Sequence, residues 1–135
     1  MIVLKVPASL QYRDVAMRVV AAACKIYASD ARTEGPGLFH EQVVSAFGEA
    51  FNNALFHAYR DLPEGQLIVE VGPAEGALEI RIIDDGRPFD PSTVPVPDLD
   101  ALPERGMGLF IIRAFMDEVV YRPGPPNALS LRKRF

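Results

Sequence analysis

The sequence predicts an α+β fold built as a two-layer sandwich, with a mixed, mostly antiparallel sheet and helices packed on one of its faces. Apolar residues recur with helical spacing in the first half of the chain and alternate with polar residues in much of the second half. The links between most of the later segments are hairpin-length. Because 135 residues, 49% of them hydrophobic, suffice for one core, we expect a single domain over residues 1–135.

The first elements are a short strand and a helix. Residues 1–6 form an apolar run with one lysine, and Pro7 ends it, which suits the edge of a sheet. Ser9 can then cap a helix over about residues 11–28. We expect its buried stripe to consist of Val15, Met17, Val19, Val20, Ala23 and Ile26.

A second helix, over about residues 40–60, follows a loop of turn-forming residues. Its apolar residues recur at intervals of three and four, which predicts one buried face. The members of this stripe are Val43, Val44, Phe47, Phe51, Ala54, Leu55 and Ala58.

The second half of the chain reads mainly as strands. Residues 67–71 and 78–82 alternate in polarity around a glycine-containing turn and predict an antiparallel hairpin. The proline-rich stretch from Pro91 to Glu104 predicts a long, irregular loop of the kind that is usually functional or mobile. A largely buried helix over residues 109–116 and two short strands at 119–121 and 129–132 complete the order.

Composition disfavours several classes of function. The formal net charge is −4, and basic residues are clustered only near the C-terminus, so the sequence does not indicate a basic surface for binding nucleic acid. Cys24, the single cysteine, lies among apolar helix residues and is expected to be buried. No segment has the pattern of a membrane span or a secretion signal, so we expect a cytoplasmic protein without a membrane partner.

The first chemical motif lies on the second helix. Glu49 and Asn53 are four residues apart and therefore one turn apart on a common face. A carboxylate and a carboxamide provide hard oxygen ligands suited to Mg²⁺ and one base for a proton in flight. An ordinary solvated helix edge would carry the same residue types.

The second motif follows the second strand of the hairpin and comprises Asp84, Gly86 and Phe89. A buried carboxylate at that position can accept a hydrogen bond from an amine such as adenine N6, and a glycine lets a flat ring approach the backbone. The alternative is a plain turn, because Asp-Asp-Gly is common turn chemistry.

The third motif, Gly106-Met107-Gly108, directly precedes the helix at 109–116. Backbone N–H groups and the positive end of a helix suit phosphate oxygens, and Arg105 could add a charged contact to the γ-phosphate. A flexible hinge before a core helix is the alternative interpretation.

The order and spacing of the three motifs resemble the ATP-binding domain shared by gyrase, Hsp90-type chaperones, histidine kinases and mismatch-repair proteins. Within that superfamily the chain is identified as a member of the bacterial anti-sigma factor serine/threonine kinases. Their boxes are similar to Glu49-Ala-Phe-Asn-Asn-Ala-Leu-Phe-His-Ala-Tyr59, to the segment from Asp84 to Pro91, and to Arg105-Gly-Met-Gly-Leu109 with the helix after it. The likeness covers almost the whole chain.

The resemblance implies a histidine-kinase-like fold that uses ATP and Mg²⁺, with a lid loop over about residues 91–106. Asn53 would ligate Mg²⁺, Glu49 would orient or deprotonate the attacking hydroxyl, and Asp84 would bind adenine. The remaining residues implied at the nucleotide site are Asn52, Gly86, Phe89, Arg105, Gly106, Met107, Gly108 and Leu109.

The implied activity is that of a protein serine/threonine kinase that is also an anti-sigma factor. It would bind a sigma factor, phosphorylate a STAS-type anti-anti-sigma protein and form a homodimer. Glu104 replaces the first glycine of the usual third box, and Asn127 stands where many relatives have a threonine near the adenine. Two alternatives stay open: a nucleotide-binding partner-switching regulator with little or no kinase activity, and an ATPase domain that serves a separate histidine phosphotransfer protein.

Overall fold

The computed structural model describes residues 1–29, 38–59, 65–88 and 107–135, and within them a five-stranded sheet is joined by three α-helices. The strands are β1 (Ile2–Pro7), β2 (Gln66–Ala74), β3 (Ala77–Asp84), β4 (Glu118–Arg122) and β5 (Asn127–Arg134). Their order across the sheet is β1-β2-β3-β5-β4, so β1 is at an edge as the sequence predicts. Every pairing between these strands is antiparallel, whereas a mixed sheet was allowed by the prediction. The predicted α+β class is confirmed.

The β2–β3 hairpin turns through Glu75 and Gly76. Both residues have positive φ, +35° for Glu75 and +77° for Gly76. Two consecutive residues of this kind give the twist that a two-residue hairpin needs. The turn fixes the register in which Ala74 pairs with Ala77, and this register carries Asp84 to the far end of β3.

The helices are α1 (Arg13–Tyr27), α2 (Leu38–Ala58) and α3 (Met107–Phe115). A 3₁₀ turn over Leu10–Tyr12 precedes α1, and Ser9 Oγ accepts a hydrogen bond from the Gln11 N–H at its start. Helix α3 begins two residues earlier than predicted. It buries only Leu109 and Ile112 fully, so it is amphipathic rather than largely buried.

The hydrophobic core lies between the helices and one face of the sheet. Phe47 and Phe51 of α2 are fully buried, as the spacing of the stripe predicts, and they pack with the inward-facing residues of the strands. The strand residues in this core include Leu67, Val69, Val71, Ile80, Ile82 and Leu131. No helix in the described part of the chain is long and apolar enough to cross a membrane.

Cys24 is fully buried in this core, which confirms the prediction. Burial raises the pKa of its thiol to about 11, because the thiolate would be poorly solvated there. At neutral pH the thiol stays protonated and acts as a small apolar side chain.

Candidate functional site

The site is built on the outward face of α2. Phe47, Ala50 and Phe51 turn toward the core, which leaves Glu49 and Asn53 half-buried on the opposite side. Helix α2 is held from behind by α1, where the Arg13 Nε–H donates to the carbonyl oxygen of Gly48 at 3.4 Å. The two polar residues therefore stand on a supported helix rather than on a loop.

Asp84 ends β3 and is only 8% exposed. Its Oδ1 accepts two hydrogen bonds of 2.9 Å, one from the Gly86 N–H and one from the carboxamide of Asn127. Burial raises the pKa of the carboxyl group, while the bonds from Asn127 and Gly86 counteract that rise and the neighbouring Asp85 charge adds to it. The residue is thus a buried acceptor at the end of a central strand.

Gly86 brings the end of β3 against the end of α2. A Cβ at this position would overlap the carbonyl group of Ala58, and the same carbonyl oxygen accepts the Arg87 N–H at 2.9 Å. The predicted reason for the glycine was the approach of a flat ring. In the structure, packing against α2 already requires a glycine here, because any larger residue would separate the second motif from the first.

Gly108 lies in the first turn of α3, directly over Glu49. A Cβ at Gly108 would lie 2.8 Å from Glu49 Oε2 and 3.7 Å from Asn53 Oδ1. The absence of a side chain therefore lets the third motif approach both polar residues of the first. The prediction placed this glycine just before the helix, whereas it is the second residue of α3.

A cavity opens where the three motifs meet. Asn53 of the first motif, Asp84 of the second and Leu109, which directly follows the third, contribute to its wall, together with mainly apolar neighbours. The other lining residues are Ala54, His57, Ala58, Ile82, Arg87, Ile112, Tyr121 and Leu129. An apolar slot with a buried carboxylate at one end suits a flat heterocycle that carries an amine.

The residues present fit a magnesium nucleotide in their chemistry. Glu49 and Asn53 offer the oxygen donors that Mg²⁺ takes in phosphate sites, usually alongside phosphate oxygens and water. No cluster of three or more His, Cys, Asp or Glu side chains occurs within the described ranges, so a metal held by protein ligands alone is not indicated there. Asn52, which was predicted at the site, does not line this cavity. It borders a separate depression with Ala8 and Leu10, and its buried Oδ1 has no hydrogen-bond partner among the described residues.

Several predicted site residues lie outside the described ranges. Phe89, Arg105 and Gly106 are among them, and so is the predicted lid loop at about 91–106. Met107 is described and begins α3. The structure thus brings together Glu49, Asn53, Asp84, Gly86, Gly108 and Leu109.

Two residues near the site make contacts that the sequence does not predict. Tyr59 follows α2, and its hydroxyl lies 2.7 Å from both Asp85 Oδ1 and the carbonyl oxygen of Gln66. Burial, and then the hydrogen bond to Asp85, raises the pKa of Tyr59 to about 12. Asn127 is 1% exposed and bonds to Asp84. The family resemblance places position 127 near the adenine, but the sequence gives no indication that Asn127 bonds to a carboxylate 43 positions away.

Comparison with known proteins assigns the chain to a family of ATPase domains. Residues 6–133 match the family described as the histidine kinase-like ATPase domain. The chain therefore belongs to this family.

Curated relatives narrow the assignment. The chain is 32% identical to the serine-protein kinase RsbW of Oceanobacillus iheyensis over 127 residues, 86% of this chain and 75% of that protein. It is 38% identical to RsbW of Bacillus velezensis over 102 residues, 69% of this chain and 63% of the relative. It is 35% identical to RsbW of Bacillus subtilis over 88 residues, which are 58% of this chain and 54% of that protein. The chain thus belongs to the serine-protein kinase family that the motifs identify, although it spans only about half to three quarters of these relatives.

Solved structures agree on the fold. The histidine kinase domain of the blue-light-activated histidine kinase of Erythrobacter litoralis superposes with a TM-score of 0.55 at 19% identity, over 90% of this chain and 60% of that chain. A second structure of that kinase gives a TM-score of 0.59 at 18% identity, over 89% and 41% of the two chains. At these identities the likeness shows the fold alone.

Proposed function

We propose that this chain is a cytoplasmic, Mg²⁺-dependent protein serine/threonine kinase that uses ATP. Its protein substrate would be a STAS-type anti-anti-sigma protein, and its second partner a sigma factor, with a homodimer as the working unit. The family and the serine-protein kinase names of its relatives support the reaction class. The identities of the partners rest on the family resemblance.

The observation that carries the proposal is the arrangement of Glu49, Asn53 and Asp84. Asn53 lines the cavity that also contains Asp84, and Glu49 stands one turn before Asn53 on α2. Gly108 approaches both α2 residues from the start of α3. A nucleotide with its base at Asp84 and its phosphates near Asn53 and the α3 N-terminus would present its γ-phosphate toward Glu49.

The chemistry follows from those positions. Glu49 orients the serine hydroxyl of the substrate and accepts its proton as the hydroxyl oxygen bonds to the γ-phosphorus. The bond between the γ-phosphorus and the oxygen bridging to the β-phosphate breaks at the same time, and ADP and phosphoserine result. A Mg²⁺ ion held by Asn53 and phosphate oxygens would supply positive charge to the phosphates. The phosphate gained by the partner would disrupt its complex with the kinase by charge and desolvation.

The test replaces the proposed base while keeping its shape. Glu49→Gln should reduce phosphorylation of a purified STAS-type substrate by about 100-fold or more, because a carboxamide cannot accept the proton. ATP affinity and the complex with the substrate protein should persist. Transfer of labelled γ-phosphate, read by autoradiography and confirmed on serine by mass spectrometry, measures the effect.

Glu41→Gln is the matched control, because Glu41 is exposed in the first turn of the same helix and should not affect the rate. An unchanged rate in Glu49→Gln would exclude Glu49 as the base. A wild-type chain that binds the partner and ATP but transfers no phosphate would instead be a partner-switching regulator. An acid-labile phosphate on a histidine of a partner would instead indicate an ATPase domain that phosphorylates a separate phosphotransfer protein.

A further inference from the structure

Asn127 makes more contacts at the site than its position in the sequence suggests. It opens β5 and stands directly opposite Asp84 in the β3–β5 register. Its carboxamide nitrogen lies 2.9 Å from Asp84 Oδ1 and 2.9 Å from the carbonyl oxygen of Gly86. Its Oδ1 accepts the Gly124 N–H at 2.8 Å. One side chain thus joins β3, the loop after it and the turn before β5.

These contacts fix the orientation of the amide. A carboxamide has two N–H donors and one carbonyl oxygen. If the group were flipped, its oxygen would face two acceptors and its NH₂ would face the Gly124 N–H, which are repulsive arrangements. Because both amide protons are committed to Asp84 and Gly86, Asn127 offers no donor to a ligand.

We infer that Asn127 is the positioning residue for base recognition, which holds Asp84 by Oδ1 so that Oδ2 serves the exocyclic amine of the base. This inference rests on the proposed function, since it assigns the recognition of adenine to a site that binds ATP. Among the described residues, both hydrogen bonds to this carboxylate end on Oδ1. This edge of the pocket therefore presents acceptors only, and it selects purines that carry an amine over purines that lack one.

Asn127 also favours the charged form of Asp84, which is the form that accepts best. Its hydrogen bond lowers the pKa of the buried carboxyl, against the larger rise caused by burial. Other groups surround this carboxylate: Asp85 and Tyr59 lie behind it, and Arg87 and His57 line the cavity with it. Without Asn127 the carboxyl should take up a proton at a higher pH, and amine recognition should fail at that higher pH.

The experiment compares two nucleotides that differ only in the amine. Calorimetry measures the affinity of ATP and of purine riboside triphosphate, which carries hydrogen in place of the 6-amino group, for wild type and Asn127→Leu. The substitution should weaken ATP binding on the order of tenfold and leave the analogue unchanged, because only ATP uses Asp84. The acid limb of ATP binding should move to higher pH in the variant. The analogue reports any pH effect that does not act through the 6-amino group.

Two further variants keep the test decisive. Asn127→Thr retains one donor for Asp84 and should recover part of the preference for ATP, and it replaces Asn127→Leu in the comparison if that variant does not fold. Asp84→Asn combined with Asn127→Leu should lose no more ATP affinity than Asp84→Asn alone.

Equal losses for ATP and the analogue, or no loss for either, would overturn the inference, because Asn127 would then act on folding only or not at all. A wild-type chain that binds neither nucleotide would overturn the proposed function itself and this inference with it. The two failures are therefore distinguishable.

Discussion

Asp84 shows at the scale of a single residue how a binding site costs stability. The carboxylate is 8% exposed, and burial raises its pKa despite two hydrogen bonds. A raised pKa in the folded state means that this group favours folding at low pH and that the advantage is lost as the pH rises through the folded-state value. At a pH above the folded-state value, the folded protein therefore holds a charge that the unfolded chain would hold more easily.

Asp84→Asn should stabilise the protein and abolish its proposed recognition of adenine. An amide oxygen at this position can still accept the bonds from Asn127 and Gly86, without a buried charge. We expect a gain of about 1 kcal/mol in the free energy of unfolding at pH 7. The gain should shrink as the pH falls through the folded-state pKa of Asp84, and it should vanish below the pKa of the unfolded chain, where the residue is neutral in both states. Urea unfolding at several pH values measures it.

A variant less stable than wild type at pH 7 would contradict this account. It would mean that the charged form of Asp84 strengthens its hydrogen bonds by more than burial penalises the charge.

At the scale of elements, the site depends on how closely α3 approaches α2. Gly86 and Gly108 each lie where a side chain would meet α2, but the atoms that it would meet differ. At Gly86 the obstacle is the backbone of Ala58, which cannot move without shifting the helix. At Gly108 the obstacle is the tip of Glu49, a flexible side chain. The first glycine is thus required for packing, and the second keeps Glu49 in place.

Gly108→Ala should therefore reduce catalysis without a large loss of stability. Its methyl group would lie 2.8 Å from Glu49 Oε2 and displace that carboxylate. A displacement of about 1 Å at a reacting group can cost on the order of 100-fold in rate. Phosphate transfer to the substrate protein and thermal unfolding measure the two effects side by side.

Gly72→Ala is the matched control for this substitution. The three atoms nearest its new methyl group would all belong to Met1, the closest being Cα at 3.3 Å, and none of them to Glu49. Full kinase activity in Gly108→Ala would show that Glu49 need not stay where the structure places it.

At the scale of the whole molecule, the sequence predicts the sheet well and one helix poorly. The edge position of β1, the hairpin and the buried stripe of α2 follow from clear periods. In α1, apolar residues occupy nearly every position of 19–24, so the period is ambiguous. Val15 and Ile26, predicted to be buried, are 47% and 64% exposed, and the buried face is formed by Ala16, Val20, Ala23 and Cys24.

At the site, too, some features follow from the sequence and others do not. Residue type and spacing indicate Glu49, Asn53 and Asp84, because each motif is local. The contact between Asp84 and Asn127 depends on the β3–β5 register, and the contact of Tyr59 with Asp85 depends on how α2 ends against the sheet. Neither relation has a local pattern, so single-sequence reasoning cannot find it.

The central claim is that the pocket beside α2 binds Mg²⁺ and ATP through Asn53. Calorimetric titration of the purified chain with ATP, with and without Mg²⁺ and beside Asn53→Ala, tests it most directly. Binding should need Mg²⁺, and Asn53→Ala should weaken it by about tenfold or more. No binding at millimolar ATP would contradict it, and the chain would then be a partner-binding domain that keeps the fold without the chemistry.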